Sequence, residues 1–169
     1  MPAVTDVAED LAVAAVAGYL ATKAMEPVSM RLYELESEED RQHEDAVRPG
    51  PPYELAAKKI AASLEAELHG RALERASLAM HYELALSWSP VYGVLRRTRD
   101  IHPALAGLGT GAAMSLVADE AMAPLLGYSA PNRAYPLATH LRGFLAHLVF
   151  GLAVAATTET LWGLRGRRP

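Results

Sequence analysis

The sequence predicts an all-α fold, a four-span transmembrane helical bundle, and three observations carry that expectation. Apolar and small residues gather into four blocks, residues 11–30, 76–95, 103–127 and 140–162, while residues 31–75 hold half of the charged residues. Each block has about 20 to 25 residues, and at about 1.5 Å rise per residue a helix of that length crosses a hydrocarbon layer of roughly 30 Å. Basic residues gather in segments that four crossings would place on one side: Arg96, Arg97 and Arg99 between blocks two and three, and Arg165, Arg167 and Arg168 after block four.

Composition narrows the field before any element is placed. A chain of 169 residues has room for one domain, here one membrane domain over residues 1–169. With 16 Lys and Arg against 20 Asp and Glu, the net charge of -4 leaves no basic field for a phosphate backbone, so no nucleic-acid partner is expected. The absence of cysteine excludes disulfides, thiolate metal sites and thiol catalysis. Mean hydropathy is close to zero, so the distribution of apolar residues carries the membrane expectation.

Residues 11–22, 103–118 and 143–158 lack the polar stripe of a surface helix and read as apolar all round. Gly107, Gly109, Gly111, Gly143 and Gly151 would weaken a helix in water but allow close helix packing in lipid. Lys23, Glu26, Glu83, Asp119, Glu120 and Glu159 interrupt the blocks. Trp162, ahead of the basic tail, suits a membrane interface, and Pro27, Pro90 and Pro124 suit kinks or span ends.

Between blocks one and two, Glu34, Glu36, Glu38, Glu39, Asp40, Glu44 and Asp45 lead to Pro49-Gly50-Pro51-Pro52, which reads as a solvated acidic loop on the outer side. Residues 53–69 place Leu55, Ile60, Leu64 and Leu68 near one side, predicting a short amphipathic helix outside the membrane that ends at Gly70. Met25-Glu26-Pro27 and Met122-Ala123-Pro124 echo each other, which suggests two related helical hairpins. Asp6, Glu9 and Asp10 stand where a secretory signal is basic, so no cleavable signal is expected.

Counting depth along alternating spans brings Lys23, Glu26, His81, Glu83, Asp119, Glu120 and His147 to about one level in the outer half of the bundle. Charges in hydrocarbon are costly and are expected to face inward and pair, so this polar cluster is the candidate site. Carboxylates with imidazoles could pass protons or hold a divalent cation. Lys23, one turn from Glu26, could equally make the cluster a structural ion pair. Metal ligation finds no support in spacing, since no helix carries the Glu-x-x-His of di-iron bundles. Ser115 lacks a nucleophile-elbow context, and Gly107-x-Gly109-x-Gly111 lies inside an apolar block rather than after a strand. His43 and His102 read as solvated.

Met25-x-Pro27, His81 followed by Tyr92-Gly93, Asp119-Glu120-x-x-x-Pro124-x-x-Gly127 and His147-x-x-Phe150-Gly151 together resemble the YagU-like family of small bacterial inner-membrane proteins, over roughly residues 8 to 163. The resemblance implies a four-span membrane protein and no particular reaction. Phe150 stands where Tyr is expected, and Lys23 and Glu83 are particular to this chain.

Three readings follow. The first is a membrane protein whose carboxylate and histidine cluster handles protons or a cation, in transport or stress-related permeability. The second is a structural or accessory membrane subunit whose ionic groups only fix helix packing. The third is a helical-bundle metalloprotein, which needs His81, His147 and two carboxylates to converge on one ion. The first two place the chain in the inner membrane with both termini cytoplasmic, partnered by lipid and by further copies or a membrane complex, and lean away from an enzyme.

Overall fold

In a computed structural model that describes residues 4–166, the chain is entirely helical. Helix α1 spans Val4–Leu35, α2 Glu38–Val47, α3 Pro52–Ser63 and α4 Gly70–Thr98. Helix α5, Pro103–Met114, continues through a π-helical stretch, Ser115–Met122, into the short α6, Ala123–Leu125. A 3-10 turn, Asn132–Ala134, precedes α7, Leu137–Leu164. Helix α7 is the centre of the bundle, with α1 and α5 packed along it, α4 against α1, and α3 against α4.

The four apolar blocks are helical, but the four-span transmembrane bundle is not supported. Among the described residues only α7 is long and apolar enough to cross a membrane. The reason lies in charge and continuity. Helix α4 carries Arg71, Glu74, Arg75, His81, Glu83, Arg96 and Arg97, and α1 carries Glu9, Asp10, Lys23 and Glu26. The third block is not one α-helix, since regular hydrogen bonding gives way after Met114.

The core is built from small residues. Val13, Ala14, Ala17 and Ala21 are buried along α1, and Ala17 and Ala21 meet Ala85 and Tyr92 of α4, Ala106 and Met114 of α5, and Phe150, Val154 and Ala155 of α7. At the far end from the candidate site, the Tyr92 hydroxyl and Arg96 Nε each donate to Glu159 Oε1 at 2.7 Å, and Arg96 Nη1 donates to the Ile101 carbonyl. Glu159, which interrupts the fourth apolar block, is thus a tie between α4 and α7.

Several local expectations are corrected. The acidic segment is not a loop: α1 runs through Pro27 to Leu35, and Ser37 caps α2 by accepting from the Asp40 amide. With Pro27 inside a helix and Pro124 near the end of one, the two proline motifs do not mark equivalent hairpin ends. Trp162 is buried rather than interfacial, and its ring carries the Arg97 guanidinium at 5.1 Å. His102 is exposed, in line with its reading as solvated, and in addition caps α5 by accepting from the Ala104 amide. Of the basic tail, Arg167 and Arg168 lie outside the described residues.

Nor does Gly70 end the amphipathic helix; it opens α4, and α3 stops at Ser63. The stop is a Schellman motif in which Ala66 N–H donates to Ala61 O and Glu65 N–H to Ala62 O. It requires a left-handed residue, and Glu65 takes that conformation with φ 57°. Glycine fits there without a Cβ penalty. Glu65→Gly is therefore expected to raise stability by about 0.5–1 kcal/mol, read as a higher urea midpoint at unchanged slope.

Candidate functional site

The functional geometry begins with the irregular stretch after α5. A π-helical turn inserts a residue into the helical repeat, a distortion frequent at functional sites. Here it carries the adjacent acids Asp119 and Glu120, and both meet histidines of the antiparallel α7. His140 and His147, seven residues or two turns apart, lie on one side of that helix.

Asp119 Oδ2 lies 3.2 Å from His147 Nδ1, which also lies 2.8 Å from the Gly143 carbonyl. Two acceptors at one nitrogen assign the proton to Nδ1. Glu120 Oε1 lies 2.7 Å from His140 Nδ1, and His140 Nε2 lies 3.1 Å from the Asn132 carbonyl. Asn132 Nδ2 in turn donates to the Glu120 carbonyl at 2.8 Å, closing the turn over the acid.

Asp119, Glu120, Asn132, His140 and Gly143 line a cavity of about 490 Å³, and His147 is not on its wall. Its floor and walls include Asp119, Glu120 and Met122 from the π stretch, Met80 and Glu83 from α4, Tyr53 and Ile60 from α3, and Tyr128 and Tyr135 from the connection to α7. Asp119 is 40% exposed by area, yet it behaves as a desolvated acid because that area faces the cavity. Burial raises its pKa above the ordinary 3.8, with the His147 ring opposing the shift and Glu120 adding to it. Tyr53 is affected in the same way: burial, helped by the Asp119 charge, pushes its hydroxyl up to about 12.

A second group sits beside the cavity. His81 Nε2 lies 3.4 Å from Glu26 Oε1 without a hydrogen bond, and its ring meets Tyr53 edge-on at 4.7 Å. Lys23 pairs with Glu26 at 3.0 Å on the exterior and lies 5.6 Å from the centroid of the Tyr82 ring. Hydrogen bonding to Tyr82, then to Glu26, holds its ammonium above lysine's ordinary range. Of the seven residues read from the sequence, Asp119, Glu120 and His147 therefore form one group and Lys23, Glu26 and His81 another. Glu83 stands on the cavity wall with no ion-pair partner among the described residues. His81 and His147 are not brought onto one ion, and no group of three or more His, Asp and Glu among the described residues is placed to hold a metal.

The residues that sequence reasoning missed are Arg142, Glu36, Glu44, His140 and Tyr53. Arg142 Nη1 donates to both oxygens of Glu36, and Nη2 to both oxygens of Glu44, at 2.7–2.8 Å. Glu44 is 1% exposed, Glu36 7% and Arg142 12%. Thr139 and Arg48 complete the partners of Glu44. This charge cluster ties α2 and the end of α1 to α7 and so forms one wall of the cavity. One signal was available: an arginine early in an apolar helix demands a carboxylate, and residues 34–45 hold the excess of them.

Searches against protein-family models, curated proteins and solved structures find no match, so the resemblance to the YagU-like family rests on the motif residues alone.

Proposed function

We propose that the protein is a non-enzymatic cation-handling bundle whose cavity exchanges a proton and a cation at Asp119. The observation that carries the reading is a weakened acid on the wall of a cavity, in contact with an imidazole that can share its proton. Ion pairs that serve packing alone look different here. Arg142 and Arg48 with Glu36 and Glu44, and Arg96 with Glu159, are sets with matched charge, whereas on the cavity wall Asp119 has only a histidine beside it and Glu83 has no ion-pair partner among the described residues. That difference favours ion handling over a purely structural role. With no three-ligand group in place, the cation proposed is monovalent rather than a divalent metal.

The expected pH response follows from the sign of the Asp119 shift. Its folded-state pKa lies above the unfolded value, so the folded chain binds the extra proton between the two. The stability this supplies is complete below the ordinary 3.8 and is lost as pH rises through the folded value. Asp119→Asn should remove that dependence. The difference in melting temperature between wild type and variant, followed from pH 3.5 to about 7.5, is expected to slope; a difference that stays constant discards Asp119 as the proton site.

A second reading rests on the exterior. Leu11, Val16 and Leu20 on α1, Leu86 and Val94 on α4, Leu105 on α5, and Leu141, Leu145 and Leu152 on α7 are all exposed. Water tolerates scattered apolar side chains but not large apolar patches, and here such residues mark each long helix. We propose that lipid covers this surface and that the protein is membrane-associated. Alkaline washing of membranes from an expressing cell tests it: retention until detergent is added is the expected result, and release without detergent rejects it.

A further inference from the structure

The wall of the cavity constrains the cation further. Of its acids, Glu44 is committed to the guanidinium groups of Arg142 and Arg48, Glu120 and Asp119 each meet a histidine, and Glu83 has no ion-pair partner among the described residues, so that Asp119 and Glu83 border the space without a guanidinium or ammonium partner. An inorganic cation is held by several converging oxygen ligands, and no group of three or more His, Asp and Glu among the described residues supplies them. The wall also carries the polar Ser29, Ser129, Asn132 and Thr139 and the guanidinium groups of Arg48 and Arg142, both paired with Glu44. Besides these it is aromatic and apolar, with Tyr53, Tyr128, Tyr135 and Met80 prominent. Tyrosine rings and thioethers are poor ligands for strongly hydrated ions but good surfaces for organic cations.

The chain already seats an ammonium at the rim in this way. Lys59 Nζ lies 5.8 Å from the centroid of the Tyr128 ring and donates to the Leu126 carbonyl at 2.7 Å. Gly127, with φ +68°, leaves the space it occupies, since a Cβ there would collide with Nζ. Tyr128 and Leu126 both line the cavity, so an ammonium head on a tyrosine ring is a contact this wall makes without rearrangement.

We propose that the cavity binds a small organic ammonium ion, its charge set against Asp119 and Glu83 and its alkyl groups against the tyrosine rings. The proposal rests on the cation reading of the same site and specifies the ligand class. A volume of about 490 Å³ suits a ligand of this size.

The test is calorimetric titration of the full chain with tetraethylammonium chloride, with triethylcarbinol as a neutral comparator of similar shape, and with potassium and magnesium chloride alone. Saturable tetraethylammonium binding is expected, at least about tenfold tighter than binding of the alcohol or of either metal ion. Asp119→Asn should weaken it about tenfold, and Tyr53→Leu about threefold through loss of the ring. Should Asp119→Asn fail to fold, Glu83→Gln serves in its place, because that side chain is exposed and has no ion-pair partner to strand. Equal affinity for the neutral alcohol, tighter binding of potassium or magnesium, or no saturable binding each overturns the proposal. Failure of the underlying reading is visible separately. Ammonium binding with no pH slope between wild type and Asp119→Asn removes proton exchange and keeps the ligand class, whereas a pH slope without ammonium binding does the reverse.

Discussion

Arg142→Met is expected to destabilise the protein by about 3–5 kcal/mol, the range found when one partner of a buried ion pair is removed. The guanidinium makes four hydrogen bonds to two carboxylates that are 1% and 7% exposed. Methionine matches much of its length but strands both acids. Arg48 remains beside Glu44, but among the described residues no second cation is paired with Glu36. The loss should concentrate at α2, where amide exchange in residues 38–47 should accelerate before that of α7. The triple variant with Glu36→Gln and Glu44→Gln should recover much of the stability, since the cost comes from unpaired charge rather than from the absence of a favourable pair. A single variant as stable as wild type would show that the cluster is solvated.

The second large effect belongs to the α5–α7 contact. A methyl group at Gly151 would overlap the Gly107 carbonyl and approach the Gly111 amide nitrogen at 2.8 Å, and one at Gly107 would fall 2.6 Å from the Gly151 carbonyl oxygen. These are backbone atoms of two helices at closest approach, so no side chain can rotate away and the helices must separate. Gly151→Ala is expected to cost about 3 kcal/mol, the upper end for overpacking a close contact. Gly109 on α5, two residues from Gly107, provides the control, with nothing within 4 Å of its Cβ position. Gly109→Ala should be stabilising by about 0.5–1 kcal/mol, because alanine is the better helix former. The same separation should loosen Asp119 from His147, whose geometry depends on α5 and α7 keeping their spacing. Denaturant unfolding of the two variants side by side decides the matter: equal midpoints would mean that the helices do not touch at Gly151.

Much of the site was legible in the residues. Asp119, Glu120 and His147 stand out because acids and imidazoles are costly among apolar neighbours and must find partners, a rule that holds in any low-dielectric interior. The same rule pointed to Lys23 and Glu26, but their contact is an exterior pair, since α1 turns that face outward. Depth counting placed all seven residues at one level but not on one side. Which side each faces depends on helix rotation, and rotation is set by packing. The π turn was not legible, for no residue type marks it, although it decides that Asp119 and Glu120 both reach α7.

The acidic segment shows the limit most clearly. Its charge run reads as solvated because each acid, taken locally, has water as its best partner. Glu44 is buried because Arg142, 98 positions away, replaces that water with two hydrogen bonds.

That the chain is helical, where the long helices lie and which polar residues would be costly to bury can be read from the residues alone, because propensity and local apolar content act over one or two turns. Packing of distant segments was needed to dock α2 on α7 through Arg142 and to set Asp119 on the wall of a cavity beside His147. Those outcomes depend on which distant groups meet, and the burial that gives a charge its cost, or a cavity its acid, exists only once the helices have packed.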